Sequence, residues 1–208
     1  MAVLKIWGRK SSSNVQKVLW CCDELGIPFE RVDLGGRFGG NDDPKYRALN
    51  PNGLVPTIDD NGFILWESNS ITRYLARKYG KGALLPQDPA AAATAERWMD
   101  WQLSHLNPAM VPIFFGYVRT APEKRDMAAI EAARKRAIEL WRMVEAQLSG
   151  NLYLNGKELS LGDFGVGIWA YRWFTMPIER PDLPNFAAWY KRLSARKPYQ
   201  SEVMIPLE

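Results

Sequence analysis

Cysteine and histidine are both scarce in this sequence. Its 208 residues contain two cysteines, Cys21 and Cys22, and one histidine, His105. Two adjacent cysteines cannot complete a metal site alone, and a disulfide between them would be strained. A single histidine excludes a three-histidine zinc site, and any Ser-His-Asp triad would depend on that one residue. We therefore expect no bound metal, and a structural role is the simplest interpretation of His105.

Long apolar runs and a strong excess of one charge are also missing. No apolar run approaches the roughly 20 residues that a membrane span needs, and residues 1–10 contain no long apolar stretch after a basic leader. The net charge is only +4, and no basic tail or stripe concentrates it. These absences favour a cytoplasmic protein that binds neither a membrane nor nucleic acid. The 47% of hydrophobic residues are enough for a globular core.

The first part of the chain alternates between strand and helix patterns. Residues 3–7 are typical of a short strand, and the polar turn at residues 11–14 offers N-cap side chains for the amphipathic run that follows. Gly26 is suited to end that helix, and residues 29–34 are typical of a second strand. A strand-helix-strand unit of this length predicts a parallel, right-handed crossover.

The next stretch is a loop followed by a short helix. The glycine-rich residues 35–40 are not followed by Gly-Lys-Ser/Thr, so a phosphate-binding P-loop is not expected. A short polar helix is predicted at residues 44–49.

A hairpin and a helix complete this part. Asn61-Gly62 favours a tight hairpin turn, which would pair residues 54–58 with residues 63–66. The helix predicted at residues 68–79 would bury one face, made of Ile71, Tyr74, Leu75 and the aliphatic stem of Lys78.

A connector rich in glycine and proline at residues 81–89 marks a domain boundary. It separates an α/β domain, residues 1–80, from an all-helical domain, residues 90–208, in which strand patterns disappear. In the second domain we predict helices at residues 90–105, 127–148, 160–174 and 185–196.

Several separated motifs carry a resemblance to a known family. They are the serine-rich turn before the first helix, Val55-Pro56 at the third strand, Glu67-Ser68 before the third helix, and a capping-box pattern in residues 160–163. Together with the order of elements, they make nearly the whole chain similar to the cytosolic glutathione S-transferase superfamily, in particular to its bacterial, serine-type members. The resemblance implies a thioredoxin-like N-terminal domain with a mixed four-stranded sheet, followed by an all-helical C-terminal domain.

The resemblance also implies where reduced glutathione would bind. In this family Val55-Pro56 carries a cis peptide bond that presents the backbone N–H and C=O of Val55, with which a peptide can pair like an added strand. Glu67 and Ser68 would lie at a helix N-terminus. There the free N–H groups and the Ser68 hydroxyl can bind the γ-glutamyl carboxylate, and Glu67 can accept from its ammonium group.

One position departs from the family pattern. Relatives often carry a polar Gln or Lys just before the Val-Pro pair, where it contacts the glycine carboxylate of glutathione, but this chain has Leu54. That contact must therefore come from elsewhere, and Arg37 and Asn52 are the candidates.

A hydroxyl at the start of the first helix is expected to hold the sulfur. The serine of the family lies a fixed distance before the glycine that ends this helix, and counting back from Gly26 reaches Ser12. Ser11 and Ser13 are each only one residue away, and Asn14 could donate instead through its side-chain amide. These three stay open behind Ser12, with Asn14 and Ser11 ranked next. One residue of this turn also serves as the N-cap of the helix.

The second substrate in this family lies against the first long helix of the helical domain. Trp101, His105 and Phe115 are the candidates here, since aromatic side chains suit an apolar pocket, with ordinary core packing as the alternative. A cysteine-type mechanism is not expected, because Cys21 and Cys22 lie two turns into the first helix, and Cys22 is on its apolar face. The family also implies a homodimer.

The function that the resemblance implies is glutathione transfer. The protein would bind reduced glutathione as co-substrate, stabilise its thiolate and promote its attack on a small hydrophobic electrophile. Two alternatives remain at this point: a glutathione-dependent disulfide or peroxide reductase, and a non-catalytic module for assembly or ligand carriage, since a fold alone does not guarantee chemistry.

Overall fold

The computed structural model describes residues 3–208 and contains one four-stranded sheet. β1 and β2 run parallel, whereas β3 is antiparallel to both β1 and β4, and the order across the sheet is β2-β1-β3-β4. The mixed sheet of a thioredoxin-like domain is thereby confirmed. The strands are β1 (Leu4–Trp7), β2 (Phe29–Val32), β3 (Thr57–Asp60) and β4 (Phe63–Trp66).

Three helices accompany the sheet: α1 (Ser13–Leu25), α2 (Pro44–Leu49) and α3 (Ser68–Tyr79). The first helix follows Ser12 in extended conformation and ends at Gly26, whose φ of 64° is in the left-handed region that glycine adopts without a steric penalty. α1 and α3 pack against each other, which places their N-terminal ends side by side.

The prediction of a third strand at residues 54–58 is wrong in its bounds. The Leu54 carbonyl is taken by the Tyr46 hydroxyl (2.5 Å) and the Asn50 amide (2.9 Å), and Pro56 has no N–H to donate to a neighbouring strand. Pairing with β4 therefore starts only at Thr57. The hairpin turn at Asn61-Gly62 is confirmed, and both of its residues have positive φ.

The buried face of α3 also differs from the prediction. Lys78 is exposed, and its ammonium group binds the Asp60 carboxylate at 2.7 Å instead of laying its stem on the core. The Tyr74 hydroxyl donates to the same carboxylate at 2.7 Å, so these two side chains anchor α3 to the end of β3.

The second domain is helical, with α4 (Pro89–Trp101), α5 (Asn107–Phe114), α6 (Met127–Gln147), α7 (Leu161–Thr175), α8 (Pro184–Ser194) and α9 (Lys197–Glu202). Neither α5 nor α9 is predicted by the sequence patterns. A π-helical turn, called a wide turn below because it is wider than a turn of α-helix, joins α4 to α5 at Gln102–Leu106. A second wide turn follows α5 at Phe115–Arg119. Pro108 accounts for the first wide turn. It has no N–H to donate within the helix, and in a regular α-helix its ring would clash with the carbonyl group four residues earlier.

The capping box before α7 is confirmed. The Ser160 N–H and hydroxyl both donate to the Asp163 carboxylate, at 2.9 Å and 3.1 Å. This pair fixes the start of a helix whose side chains are almost entirely buried.

The two domains share one hydrophobic core. Trp20 of α1 stacks on Phe164 of α7 with ring centroids 4.0 Å apart, and its edge meets Tyr199 of α9 at 4.9 Å. Residues of α4 to α7 continue the same cluster. Within residues 3–208, none of the helices combines the length and the apolar character that crossing a bilayer requires.

Candidate functional site

The turn between β1 and α1 lies against the loop that precedes β3. Gly8 packs so closely here that a Cβ atom would lie 2.4 Å from a Val15 methyl group and 3.2 Å from the Cβ of Val55. Any larger residue would push the two segments apart. Glycine at this position therefore lets the serine turn at residues 11–14 lie beside Val55.

The residues of the serine turn have different surroundings. The Ser12 carbonyl accepts the first hydrogen bond of α1, from Gln16 N–H at 2.8 Å, and its half-buried hydroxyl makes no capping bond. Ser11 is only 8% exposed, and its hydroxyl has no partner among the described residues. The amide oxygen of Asn14 accepts from the Ser68 hydroxyl at 3.2 Å. Ser12 thus has a hydroxyl at the helix N-terminus that is both uncommitted and accessible.

The loop around Val55 offers an open peptide edge. Val55-Pro56 is a cis peptide bond, as the resemblance implies. Tyr46 and Asn50 hold the preceding Leu54 carbonyl from the inner side, and the Leu54 side chain is exposed. Among residues 3–208, no backbone hydrogen bond uses the N–H or the C=O of Val55. Both groups are available to an extended ligand that would add to the sheet.

The start of α3 lies beside the serine turn. The space between the serine turn, Val55 and the start of α3 is called the cleft below. Glu67 has a φ of 71° and a ψ of 109°, a left-handed conformation that is uncommon for a residue with a side chain. Its carbonyl accepts from Ile71 N–H at 2.9 Å, so the N–H groups of residues 68–70 have no partner within the helix. Because Ser68 bonds Asn14, the N-termini of α3 and α1 meet, and the positive ends of two helix dipoles point into one cleft.

A buried lysine lies beneath these two helix ends. Lys17 is 3% exposed, and its ammonium group donates to the Asn69 side chain at 3.2 Å. Burial lowers its pKa to about 7, against the opposing influence of the Glu67 carboxylate and with the help of the positive charges of Arg172 and Arg73. Lys17 therefore adds a positive charge to the cleft, and its protonated fraction falls as the pH rises through neutrality.

Replacing Lys17 by Met should flatten the pH dependence of stability. The unfolded chain binds the lysine proton up to a pH of about 10.4, but the folded chain loses it near pH 7, so stability of the natural protein should rise with pH between these values. From pH 6.5 to 9.5 the gain due to Lys17 is about 3 kcal/mol. Urea unfolding at both pH values measures it. The variant should lack this gain, whereas Lys45→Met, at an exposed position, should keep it. Equal slopes in all three proteins would contradict this assignment.

Comparison with known proteins agrees with this geometry. The family of glutathione S-transferase N-terminal domains matches residues 11–78, and the family of glutathione S-transferase C-terminal domains matches residues 127–192. Glutathione S-transferase GstB of Escherichia coli strain K12 is 41% identical over 99% of this chain and 100% of its own length. The chain belongs to the glutathione S-transferase family.

Solved structures of this family show the same fold. The theta class glutathione S-transferase of Xanthomonas axonopodis pv. citri, solved with glutathione bound, superimposes with a TM-score of 0.95 at 48% identity, and the match covers 100% of both chains. Glutathione transferase F7 of Populus trichocarpa has a TM-score of 0.86 at 28% identity and 97% coverage of this chain. Glutathione S-transferase 3 of Zea mays, compared by sequence, is 34% identical over 100% of this chain and 96% of its own length.

Arg37 and Asn52, the two candidates for binding the glycine carboxylate of glutathione, differ in how firmly their side chains are held. The Arg37 side chain is exposed in the loop after β2, where it stacks on Phe38 and reaches the Glu208 carboxylate at 3.3 Å. The Asn52 amide instead donates to the Asn50 side chain at 3.3 Å, within the turn before Leu54. Arg37 is therefore free to swing toward a glutathione transferase substrate, and Asn52 would first have to leave its turn.

The three residues predicted for the second substrate do not converge. Trp101 lines a groove of about 640 Å³ between α4 and α6, together with Trp98 and Met143. His105 is exposed, with its ring 6.5 Å from that of Trp101 and its Nδ1 bonded to the neighbouring Ser104 hydroxyl at 2.7 Å. The groove that contains Trp101 is lined by residues of α4 and α6 and not by the serine turn.

Phe115 lies elsewhere, in the wide turn after α5. It is 46% exposed, and the guanidinium of Arg119 stacks on its ring at 4.8 Å. Because Arg119 lines a cavity with Ser11, Phe115 is the one of the three that lies next to the serine turn.

Sequence reasoning missed four basic residues around the cleft: Lys17, Arg9, Arg119 and Arg172. One signal was available, because Arg172 lies among apolar residues in the second half of α7, and an arginine is rarely buried unless it is paired. The other three look like ordinary surface charges in the sequence, and only the fold buries Lys17 and brings Arg9 and Arg119 beside Ser11.

Proposed function

We propose that the protein is a glutathione transferase that binds reduced glutathione along Val55 and activates its thiol at the start of α1. The observation that carries this proposal is the pair of unused backbone groups of Val55 beside two converging helix N-termini. A plain scaffold has no need for a free peptide edge and two open helix ends in one cleft.

The cleft suits the two ends of the tripeptide differently. The γ-glutamyl carboxylate would accept from the free N–H groups of α3 and from the Ser68 hydroxyl, and its ammonium group would donate to Glu67. The cysteinyl residue would pair with Val55, which places its sulfur at the start of α1 near Ser12. Arg37 would bind the glycine carboxylate at the other end.

Activation of the thiol requires a modest amount of free energy. Lowering a thiol pKa from about 8.5 by two units takes about 2.7 kcal/mol of preference for the thiolate. A hydroxyl donor to a charged acceptor supplies about 1.5–3 kcal/mol, and a helix N-terminus adds about 0.3–1 kcal/mol. Ser12 at the N-terminus of α1 can therefore supply it without a base or a metal.

The reaction would be a nucleophilic substitution by the bound thiolate. A sulfur–carbon bond forms, the leaving group departs with its electron pair, and the thiol proton goes to solvent. The protein contributes the orientation of the thiolate and stabilises its charge, and no covalent bond to the enzyme is needed. Reduction of a disulfide by the same thiolate would appear as turnover of a mixed disulfide with little conjugation of aryl halides.

Titration with reduced glutathione, followed by tryptophan fluorescence, tests the proposal. We expect saturable binding and, from ultraviolet absorbance against pH, a bound thiol with a pKa well below about 8.5. Ser68→Ala should weaken binding about tenfold or more, because it removes one charge-assisted hydrogen bond. Ser70→Ala, at an exposed position of the same helix, is the control and should bind normally. Absence of binding at several millimolar glutathione would favour a non-catalytic module.

The proposal includes a homodimer in the cytoplasm. Phe63 and Trp66 are exposed on the edge strand β4, and the exposed Met143 lines the groove on α6, so apolar surface is available for a partner. Sedimentation equilibrium at the mass of two chains would support the homodimer.

The two cysteines are consistent with the cytoplasm. Cys21 and Cys22 are both free and buried, which suits a reducing compartment where glutathione keeps thiols reduced.

A further inference from the structure

Three arginines and a glutamate surround a cavity of about 250 Å³ beside the serine turn. Arg9 comes from the end of β1, Arg37 from the loop after β2, and Arg119 from the wide turn after α5. Ser11, Gly36 and Glu208 complete the wall. This space is called the arginine cavity below.

A fourth arginine lies directly beneath it. Arg172 of α7 is 6% exposed and lines a smaller adjoining space that shares Ser11 and Glu208 with the arginine cavity. Its guanidinium donates to the Ser11 carbonyl at 3.3 Å and stacks on Phe114 at 4.4 Å. Arg172 is thus held in place by neutral groups.

The positive charge in this region is not balanced by the protein. In the described part of the chain, neither Arg9 nor Arg172 takes part in a salt bridge, and Glu208 is the acidic residue in the walls of both spaces. Burial, with the charges of Arg119 and Arg9, lowers the pKa of Arg172 to about 9. Burial and the charge of Arg119 also lower the pKa of Arg9, against the opposing influence of the Glu208 carboxylate. Arginine stays protonated at neutral pH, so the region needs an anion.

The structure contains an internal stand-in for such an anion. The Glu208 carboxylate reaches Arg37 at 3.3 Å, and the main-chain oxygen of Glu208 accepts from Arg119 at 3.2 Å. Both side chains are exposed, so these contacts are weak and a bound ligand can replace them. Ser11 lines the same wall, and its buried hydroxyl has no partner among the described residues.

The position of the cavity assigns it to the second substrate. Arg119 stacks on Phe114 at 5.4 Å and on Phe115 at 4.8 Å, so aromatic surface lies directly beside the charge. Arg119 and Arg172 belong to the helical domain, whereas Val55 belongs to the N-terminal domain. An electrophile with an apolar ring and one carboxylate would match this combination.

We propose that Arg9 and Arg119 of the arginine cavity bind the carboxylate of an aromatic, anionic electrophile and orient its reactive carbon toward the bound thiolate, while Arg37 binds the glycine carboxylate of glutathione. This inference rests on the proposed function and narrows the second substrate from a hydrophobic electrophile to one that also carries a negative charge. Arginine is suited to the task because its planar guanidinium can make two parallel hydrogen bonds to a carboxylate. Glu208 competes for the same donors and leaves when the substrate enters.

A matched pair of benzylic bromides tests the preference. With 4-(bromomethyl)benzoate the thiolate attacks the benzylic carbon, the carbon–sulfur bond forms, and bromide leaves with the bonding electrons. The neutral 4-(bromomethyl)benzamide undergoes the same reaction with nearly the same shape. We expect kcat/KM for the benzoate to exceed that for the benzamide by tenfold or more, after correction for the uncatalysed rates. Equal values with both substrates turned over would overturn the inference and leave the proposed function intact. No turnover of either, with no binding of glutathione, would instead remove the proposed function.

Variants locate the effect within the cavity. Arg119→Gln should lower the ratio of the two kcat/KM values tenfold or more, whereas Arg142→Gln, at an exposed position of α6, should leave the ratio unchanged. Glu208→Gln removes the competing carboxylate and should raise kcat/KM for the benzoate severalfold. If Arg119→Gln weakened glutathione binding and slowed both bromides by the same factor, the cavity would hold the glycine carboxylate of glutathione, and the inference would be wrong.

Discussion

Ser12→Ala is expected to lower the rate of conjugation at pH 7 by tenfold or more, with little change in glutathione affinity. The hydroxyl lies at the N-terminus of α1, makes no capping bond, and is accessible from the cleft. Its removal leaves the contacts at Val55 and Ser68 in place but takes away a donor to the thiolate worth about 1.5–3 kcal/mol. The loss should therefore appear in kcat more than in the binding constant.

The pH profile separates this role from a structural one. If Ser12 stabilises the thiolate, the pKa of the bound thiol should move up toward about 8.5 in the variant, and much of the activity should return at high pH. Thermal stability should change little, since the Ser12 hydroxyl caps no N–H group in the folded protein. Ser12→Thr keeps the hydroxyl and should keep most of the activity.

An unchanged rate for Ser12→Ala at pH 7 would move the role to another residue. Ser11→Ala and Asn14→Ala are then the decisive variants, because these two residues are the next-ranked candidates in the turn. Asn14 bonds Ser68, so its replacement should also weaken glutathione binding, whereas the enclosed Ser11 hydroxyl has no such link.

Asp163→Ala is expected to have the largest effect on stability, a loss of about 3–5 kcal/mol in the free energy of unfolding. Asp163 is fully buried, and its carboxylate accepts from the Ser160 N–H and hydroxyl, from Leu154 N–H at 2.9 Å, and from the Trp189 indole at 2.9 Å. Alanine would leave all of these donors buried without a partner, and each costs about 1–3 kcal/mol. Burial raises the pKa of Asp163 to about 6, so at pH 7.5 the ionised form accepts these bonds.

An ordinary helix cap provides the control for this prediction. Asp126 accepts from Ala129 N–H at 2.9 Å at the start of α6, but it is exposed. Asp126→Ala should therefore cost only about 1 kcal/mol. Denaturant unfolding of both variants compares the two losses. A loss at position 163 no larger than at position 126 would show that the buried network does not stabilise the fold beyond a simple cap.

The order and type of most elements follow from local patterns. The end of α1 at Gly26, the Asn61-Gly62 turn and the capping box at Ser160 depend on residues close in sequence, and the structure has each of them, although Ser12 at the start of α1 makes no side-chain capping bond. The missed boundaries have a different origin. β3 starts late because Tyr46 and Asn50 hold Leu54, and such a contact cannot be inferred from the strand pattern.

The residues of the candidate site also fall into two groups: those that short sequence motifs identify and those whose position only the fold determines. The sequence motif identifies Val55, Glu67 and Ser68 as candidates, because their chemistry depends on a turn and a helix start that short motifs define. The sequence did not predict that Trp101 would line the groove between α4 and α6 while Phe115 lies against Arg119. Both residues belong to one apolar stretch, and the two wide turns determine where each side chain points.

The sequence by itself determined the family, the two-domain order and the residues expected to meet glutathione, since these rest on local motifs and on the spacing between them. Only the tertiary structure decided which charges gather around the cleft. Arg9, Arg119 and Arg172 come from three distant segments, and Lys17 is buried by the packing of α1 on α3. Electrostatic interaction depends on distance through space and on burial, and neither can be read from positions along the chain.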